Sequence, residues 1–232
     1  MRKIGLIGGM SWASTEVYYR QLNRGVQKRI GSSCSAPILL ESLNFCELSR
    51  LTTPEQWAHA KEVLTASAQR LEAAGATALM VAANSMHKIA KEIAEAVSIP
   101  LIHIVDEAGE KLKADGVKSA AVVGTRNVMT EPWFRQHLVR YGLTLAPYDA
   151  TRAEEIDRII YDELMQGKVN EASRRTMKTF LTDIAKQDVQ AIVLACTELV
   201  MLVDPDANVL PIYDTTRIHA EAGVDWILGD AP

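Results

Sequence analysis

One eight-residue pattern occurs twice in this chain. Ala78-Leu-Met-Val-Ala-Ala-Asn-Ser85 lies on Ala191-Ile-Val-Leu-Ala-Cys-Thr-Glu198 without a gap, an apolar run of strand length that ends in small and polar residues. Each copy is followed by a helical stretch and a short strand opening on a proline, Pro100-Leu-Ile-His-Ile-Val-Asp106 in the first and Leu210-Pro-Ile-Tyr-Asp214 in the second. Upstream, Lys3-Ile-Gly-Leu-Ile-Gly-Gly9 resembles Ala120-Ala-Val-Val-Gly-Thr125, each a strand that stops at a tight turn. A chain that repeats its strand–helix–strand order in this way is expected to form two similar α/β halves.

The rest of the sequence is consistent with that frame. Candidate strands at 3–7, 37–43, 77–82, 100–103, 119–123, 143–146, 190–195 and 208–212 alternate with helical patterns near 12–29, 55–74, 85–97, 105–114, 130–141, 153–166, 171–187 and 215–228. Pro132 falls where a first helical turn tolerates proline. The expected fold is α/β, with two similar Rossmann-like domains of mainly parallel sheet related by a pseudo-repeat. Residues 1–114 would form the first domain and 115–214 the second, with the closing segment 215–232 packing back on the first. Ligands of open parallel sheets bind beyond the carboxyl ends of the strands. Residues 8–11, 83–85, 125–126 and 196–198 would then surround one cleft between the halves.

Composition narrows the partner. A formal charge of −4 over 232 residues gives no electrostatic footprint for nucleic acid or an anionic membrane surface, so a small-molecule or protein partner is expected. No apolar run reaches membrane-spanning length, and the N-terminus turns glycine-rich too soon for a signal peptide, which points to the cytoplasm. Cys34, Cys46 and Cys196 are too few and too irregularly spaced for a disulfide framework. The five histidines include no His-x-x-x-His pair and none beside a cysteine, so no metal is expected.

The chemistry centres on Cys196. A thiol at a strand end followed at once by a helix start faces unpaired N–H groups and the positive end of the helix dipole, both of which favour the thiolate. The N–H groups at Asn84-Ser85 and Thr197-Glu198 would hold a carboxylate and stabilise charge developing on it as an α-proton leaves. Racemisation by this design needs one acid/base on each face of the α-carbon. The repeat supplies Cys196 for one face and Ala83, a methyl group, for the other. Cys34 and Cys46 lack any such context. Gly5-Leu-Ile-Gly-Gly-Met-Ser11 departs from the Gly-x-Gly-x-x-Gly order of dinucleotide sites and reads as a tight turn. His87, one helical turn beyond Ala83, is either a substitute base or a hydrogen-bonding residue at the helix start. Asp106 and Asp214 follow matched strands and either orient groups in the cleft or cap the next helix.

These motifs together resemble the aspartate/glutamate racemase family, cofactor-free amino acid racemases with two α/β domains around a cleft. The resemblance rests on Ile4-Gly-Leu-Ile-Gly-Gly-Met-Ser-Trp12 with Ser14-Thr15, Asn84-Ser-Met-His87, Gly124-Thr125-Arg126, Ala195-Cys-Thr-Glu198, and Pro211 to Asp214 with Ile218-His219-Ala220. It runs nearly the whole chain, and the bacterial broad-specificity amino acid and aspartate/glutamate racemases are the most similar subgroup. It implies a small-molecule amino acid substrate foremost among partners, a two-base mechanism without cofactor, a homodimer, and substrate contacts from Met10, Ser11, Asn84, Ser85, Thr197 and Glu198, with Thr125 beside them. The chain departs from the family at Ala83, where relatives carry cysteine or threonine, and at Met165, where relatives for acidic substrates tend to carry a basic residue. Arg50, Thr52 and Arg126 are the candidate contacts for a substrate side chain.

Three explanations of Ala83 stay open: an engineered replacement, a water or a neighbour such as Ser11 acting on that face, or one-base chemistry with Cys196 alone. The expected function is racemisation of an amino acid, aspartate and glutamate being candidates, through Cys196. The alternatives are a one-base decarboxylase or isomerase of a small carboxylic acid, and a non-catalytic amino acid binding protein.

Overall fold

The computed structural model describes residues 1–205 and 207–229. The chain forms two compact units, one of Met1–His103 with the chain from His219 onward, the other of Ile104–Ile218. The first unit runs β1 (Ile4–Gly8), α1 (Trp12–Ile30), β2 (Ile38–Ser42), α2 (Pro54–Ala73), β3 (Ala78–Val81) and α3 (Ala90–Glu95). The second runs α4 (Ile104–Ala114), β4 (Ser119–Gly124), α5 (Arg126–Thr130), α6 (Pro132–Val139), β5 (Thr144–Leu145), α7 (Ala150–Asp162), α8 (Glu171–Ile184), β6 (Ala191–Ala195) and β7 (Ile212–Asp214). The closing helix α9 (Thr215–Leu228) begins in the second unit and ends in the first.

Both sheets are parallel, ordered β2-β1-β3 and β5-β4-β6-β7. The repeat holds position for position in their ladders. Ile4 pairs with Ala78 as Ala120 pairs with Ala191. Thr77 N donates to Lys3 O at 2.8 Å, as Gln190 N donates to Ser119 O at 3.0 Å. The prolines that open the matched strands are equivalent too: Leu79 N donates to Pro100 O at 2.8 Å and Ile192 N to Pro211 O at 3.0 Å.

Burial follows the period-two geometry of a strand covered on both faces. In the first unit Ile7, Leu79 and Val81 pack with Leu64 and Ala68 of α2, while Ile4, Leu6, Ala78 and Met80 pack with Tyr18 and Leu22 of α1 and Val224 of α9. In the second, Ile192 and Leu194 pack with Ile156 and Ile160 of α7 and Met177 of α8, and Val122, Ala191 and Val193 face Leu112 of α4 and Phe134 of α6. The helices are signalled locally. Ser11 caps α1, and Thr53 with Gln56 forms a reciprocal capping box before Pro54 at the start of α2.

Several expectations are corrected. The helix at 104–114 belongs to the second unit, because Ile104, Val105 and Leu112 enter the core of Val122 and Phe134, so the division falls at 103/104 rather than at 114/115. The strand expected at 208–212 lies at Ile212–Asp214, where pairing with β6 puts Ile212 beside Ile192. The strand expected at 100–103 is reduced to a single bridge at Leu101. The segment 85–97 is a 3-10 turn, Ser85–Ile89, followed by the short α3, and 130–141 is split by Pro132 at the first turn of α6. In the closing helix Ala220, Val224 and Ile227 share a core with Ile4, Leu6 and Tyr18; residues 230–232 of the expected segment lie outside the described residues. No helix among the described residues is long and apolar enough to cross a membrane.

Two positions carry testable stability consequences. Gly9 has φ +87°, and a Cβ there would stand 2.2 Å from Leu43 O. Gly9→Ala should cost about 3 kcal/mol, combining left-handed strain with a clash against backbone, read as a lowered denaturant midpoint at unchanged slope. At the junction of β7 and α9, Asp214 Oδ1 accepts from Thr216 N at 2.9 Å, yet burial outweighs these N–H bonds and raises the carboxyl above its ordinary range. A raised acid stabilises the fold while protonated and loses that contribution as pH rises through its titration. Asp214→Asn should therefore raise Tm at pH 7 by about 2 °C, with the gain shrinking toward pH 4; an equal gain at both would refute the assignment.

Candidate active site

The carboxyl ends of the two sheets carry the residues singled out from the sequence. In the first unit β1 runs into Gly8-Gly9, where Leu43 N donates to Gly8 O at 3.0 Å and Gly9 N donates to Thr15 Oγ1 at 2.8 Å. This turn buries Met10 and Ser11, each 2% exposed. Ser11 Oγ accepts from Ser14 N at 3.4 Å, so its hydroxyl serves first as the cap of α1. Beyond β3 lie Ala83 and Asn84, both buried, and the half-buried Ser85. His87 is buried, and its Nδ1 stands 2.9 Å from Ala83 O, a hydrogen bond that requires the proton on Nδ1. The histidine thus braces the turn that follows Ala83.

In the second unit Gly124 pairs with Ala195, so the next residues of the two strands are Thr125 and Cys196. A Cβ at Gly124 would come within 2.7 Å of Ala195 O, which explains the glycine. Thr125 is buried, and its Oγ1 has no hydrogen-bond partner among the described residues. Cys196 is 4% exposed and continues the face of Ile192 and Leu194. Its Sγ donates to Glu198 Oε2 at 3.1 Å, and Thr197 Oγ1 donates to the same oxygen at 2.7 Å. Thr197 and Glu198 are themselves buried. The result is a thiol, a hydroxyl and a carboxylate in one buried network.

The electrostatics overturn one expectation. Only a 3-10 turn, Leu199–Met201, comes after Cys196, so there is no helix of useful dipole. The Glu198 N–H does favour the thiolate, but burial and the adjacent Glu198 carboxylate outweigh it and push the thiol well above its ordinary value. Cys196 therefore rests protonated at neutral pH. A buried thiol next to a carboxylate is a proton donor until that carboxylate takes its proton.

Other candidates are dispersed. Thr52 is exposed, and its N and Oγ1 both donate to Gln56 Oε1, at 2.8 and 3.3 Å, as part of the α2 cap. Arg50, at φ 51°, is exposed as well. Arg126 is exposed, and Met165 packs against the α7–α8 core. Asp214 serves as a cap, and its ladder counterpart is His103 rather than Asp106, since Leu101 and Ile212 are equivalent. Asp106 instead receives hydrogen bonds from His137 Nε2 and Tyr141 OH, both at 2.5 Å, tying α4 to α6. Two carboxylate roles had no signal in the sequence: that of Asp106, and that of Asp157 on α7, whose Oδ1 accepts from Arg126 N at 2.8 Å. Both partnerships span about thirty residues, and no local spacing marks them.

Comparison with known proteins places the whole chain. The Asp/Glu/hydantoin racemase family model matches residues 7–223. A broad-specificity amino-acid racemase, RacX of Bacillus subtilis, is 24% identical over 226 residues, covering 97% of this chain and 98% of its own. A Yersinia pestis protein assigned to the Asp/Glu racemases has a crystal structure 38% identical to this chain, with TM-score 0.89, covering 98% of this chain and 100% of that one. An aspartate racemase homologue from Pyrococcus horikoshii is 27% identical, with TM-score 0.82, over 98% and 99% of the two chains. On the extent of these matches, the chain belongs to the Asp/Glu/hydantoin racemase family.

Proposed function

We propose that this chain racemises an amino acid without a cofactor, using Cys196 as the acid/base on one face of the α-carbon. The observation that carries the reading is the buried Cys196–Glu198 pair at the carboxyl end of β6, with Sγ 3.1 Å from Oε2. Glu198 accepts the thiol proton, the thiolate removes the α-proton, and the electrons of the C–H bond move into the substrate carboxylate. The N–H groups of Thr197 and Glu198 and the hydroxyl of Thr125 offer donors for that charge. In the reverse sense the thiol, protonated at rest, delivers its proton to the carbanion. Met10, Ser11, Asn84 and Ser85 are proposed to contact the substrate from the first unit, and a homodimer is proposed from family membership.

Ala83 limits this chemistry. It continues the face of Leu79 and Val81 as Cys196 continues that of Ile192 and Leu194, so it occupies in the first unit the place of the thiol in the second. With a methyl group there, proton return on that face falls to water or a neighbouring hydroxyl such as that of Ser11. Turnover should be slow or one-sided. This position favours one alternative, a one-base decarboxylation in which Cys196 protonates a single face. Side-chain selectivity is proposed to rest on Arg50, Thr52 and Arg126; with Met165 in place of a cation, aspartate and glutamate are candidates among other amino acids.

Proton NMR in D2O over a panel of L- and D-amino acids tests the reading. Loss of the α-proton signal should fall at least about a hundredfold in Cys196→Ser, and unchanged exchange in that variant would sink the proposal. Ala83→Cys should raise inversion relative to exchange with retention by about tenfold or more, because it restores an exchangeable proton at that place. A product carrying one solvent deuterium with loss of CO2 would instead support decarboxylation.

A further inference from the structure

We propose that the second unit carries a binding site for a zwitterionic amino acid with an apolar side chain, in the cavity between α8 and the chain at Leu202–Asp204 and Ala207–Leu210. Neither Cys196 nor Glu198 lines this cavity, and the assignment does not rest on the racemase reading.

Three observations carry it. First, the cavity has a volume of about 260 Å³ and an apolar floor. Met177 and Leu181 of α8, Ile192 of β6, and Leu202 and Val203 line it while belonging to the buried core of the unit, so the floor is held in place by packing. Sites for drug-sized ligands span roughly 300–1,000 Å³, and this one suits a molecule of amino acid size. Second, one wall is cationic. Arg174, Met177, Lys178, Leu181 and Thr182 recur at helical spacing and present one face of α8 to the cavity, with Arg174 and Lys178 one turn apart. Arg174 Nη1 donates to Leu202 O at 3.4 Å, tying α8 to the other wall, and its Nε stands 3.4 Å from Glu171 Oε1. No ion pair among the described residues engages the exposed Lys178 ammonium, which makes it the cation available to a carboxylate. Third, the other wall carries an acid. Asp204 lines the cavity with Asn208, and their turn is closed by Ala207 N donating to Asp204 O at 3.2 Å and by Asn208 Nδ2 donating to the same oxygen.

The lining therefore offers both signs of charge above an apolar floor. A carboxylate on Lys178, an ammonium on Asp204 and an apolar side chain on Met177, Leu181 and Val203 use all of these groups at once. A simple carboxylate without the ammonium would leave Asp204 beside a like charge. A polar side chain on the ligand would lose its water over the floor without gaining a partner there.

Methionine-methyl NMR of the full chain, titrated with L-leucine, tests the proposal. The methyl group of Met177, assigned with Met177→Leu, reports on this cavity, and that of Met10 reports on the strand-end site proposed above. Leucine should shift the Met177 signal saturably. Lys178→Glu, a change at an exposed side chain, should weaken that binding about tenfold or more at an unchanged thermal midpoint. Leucinamide, which lacks the carboxylate, and 4-methylpentanoate, which lacks the ammonium, should each bind about tenfold more weakly than leucine. A Met177 signal that stays unmoved across the solubility range of leucine overturns the proposal, as does a leucine affinity unchanged in Lys178→Glu. Equal binding of 4-methylpentanoate overturns the zwitterion as the ligand, and a shift confined to Met10 places leucine at the strand ends instead. If the unaltered protein exchanges no α-protons, the racemase reading fails while the Met177 titration still decides this site.

Discussion

Everything in this molecule depends on parallel strands buried on both faces. Parallel pairing needs a crossover for each return, and here the crossovers are helices that cover β1, β3, β4 and β6. Because successive side chains point to opposite faces, each strand feeds two cores at once. Such a strand cannot slip by one residue without exchanging its two cores. The register is therefore held tightly, and the residues just beyond the last paired position are held with it. Cys196 owes its location to this constraint: it is the next residue on the face already occupied by Ile192 and Leu194.

The same constraint gives the internal repeat its physical meaning. Equivalent residues make equivalent backbone bonds in both sheets, down to the carbonyls of Pro100 and Pro211. The two units differ in the side chains they place at the strand ends. The first offers a methyl group, a serine engaged as a helix cap and a histidine bracing the Ala83 carbonyl. The second offers a thiol and a carboxylate in direct contact. Keeping the ladder while changing the last residue leaves the architecture intact and makes the two strand ends chemically different.

That asymmetry is also electrostatic. A lone N–H bond to sulfur cannot offset full burial together with a neighbouring carboxylate, so the thiol stays protonated. Surface pairs such as Arg20–Glu16 and Lys91–Glu95 lie in solvent and contribute little by comparison. The buried thiol and carboxylate at the carboxyl edge of the second sheet interact without that screening.

The α/β class, the two similar halves, the order of nearly all strands and the Cys196–Ala83 correspondence were legible in the amino-acid order alone, because apolar periodicity and turn residues are written in neighbouring positions. It took the folded chain to assign helix 104–114 to the second unit, to start β7 at Ile212, and to make Cys196 a buried neutral thiol rather than a thiolate. Those outcomes turn on which distant groups share a core or a hydrogen bond. Asp157 meets Arg126, and Asp106 meets His137 and Tyr141, only after the chain has folded back on itself. Desolvation and charge at a site are sums over such neighbours, and no window of sequence contains them.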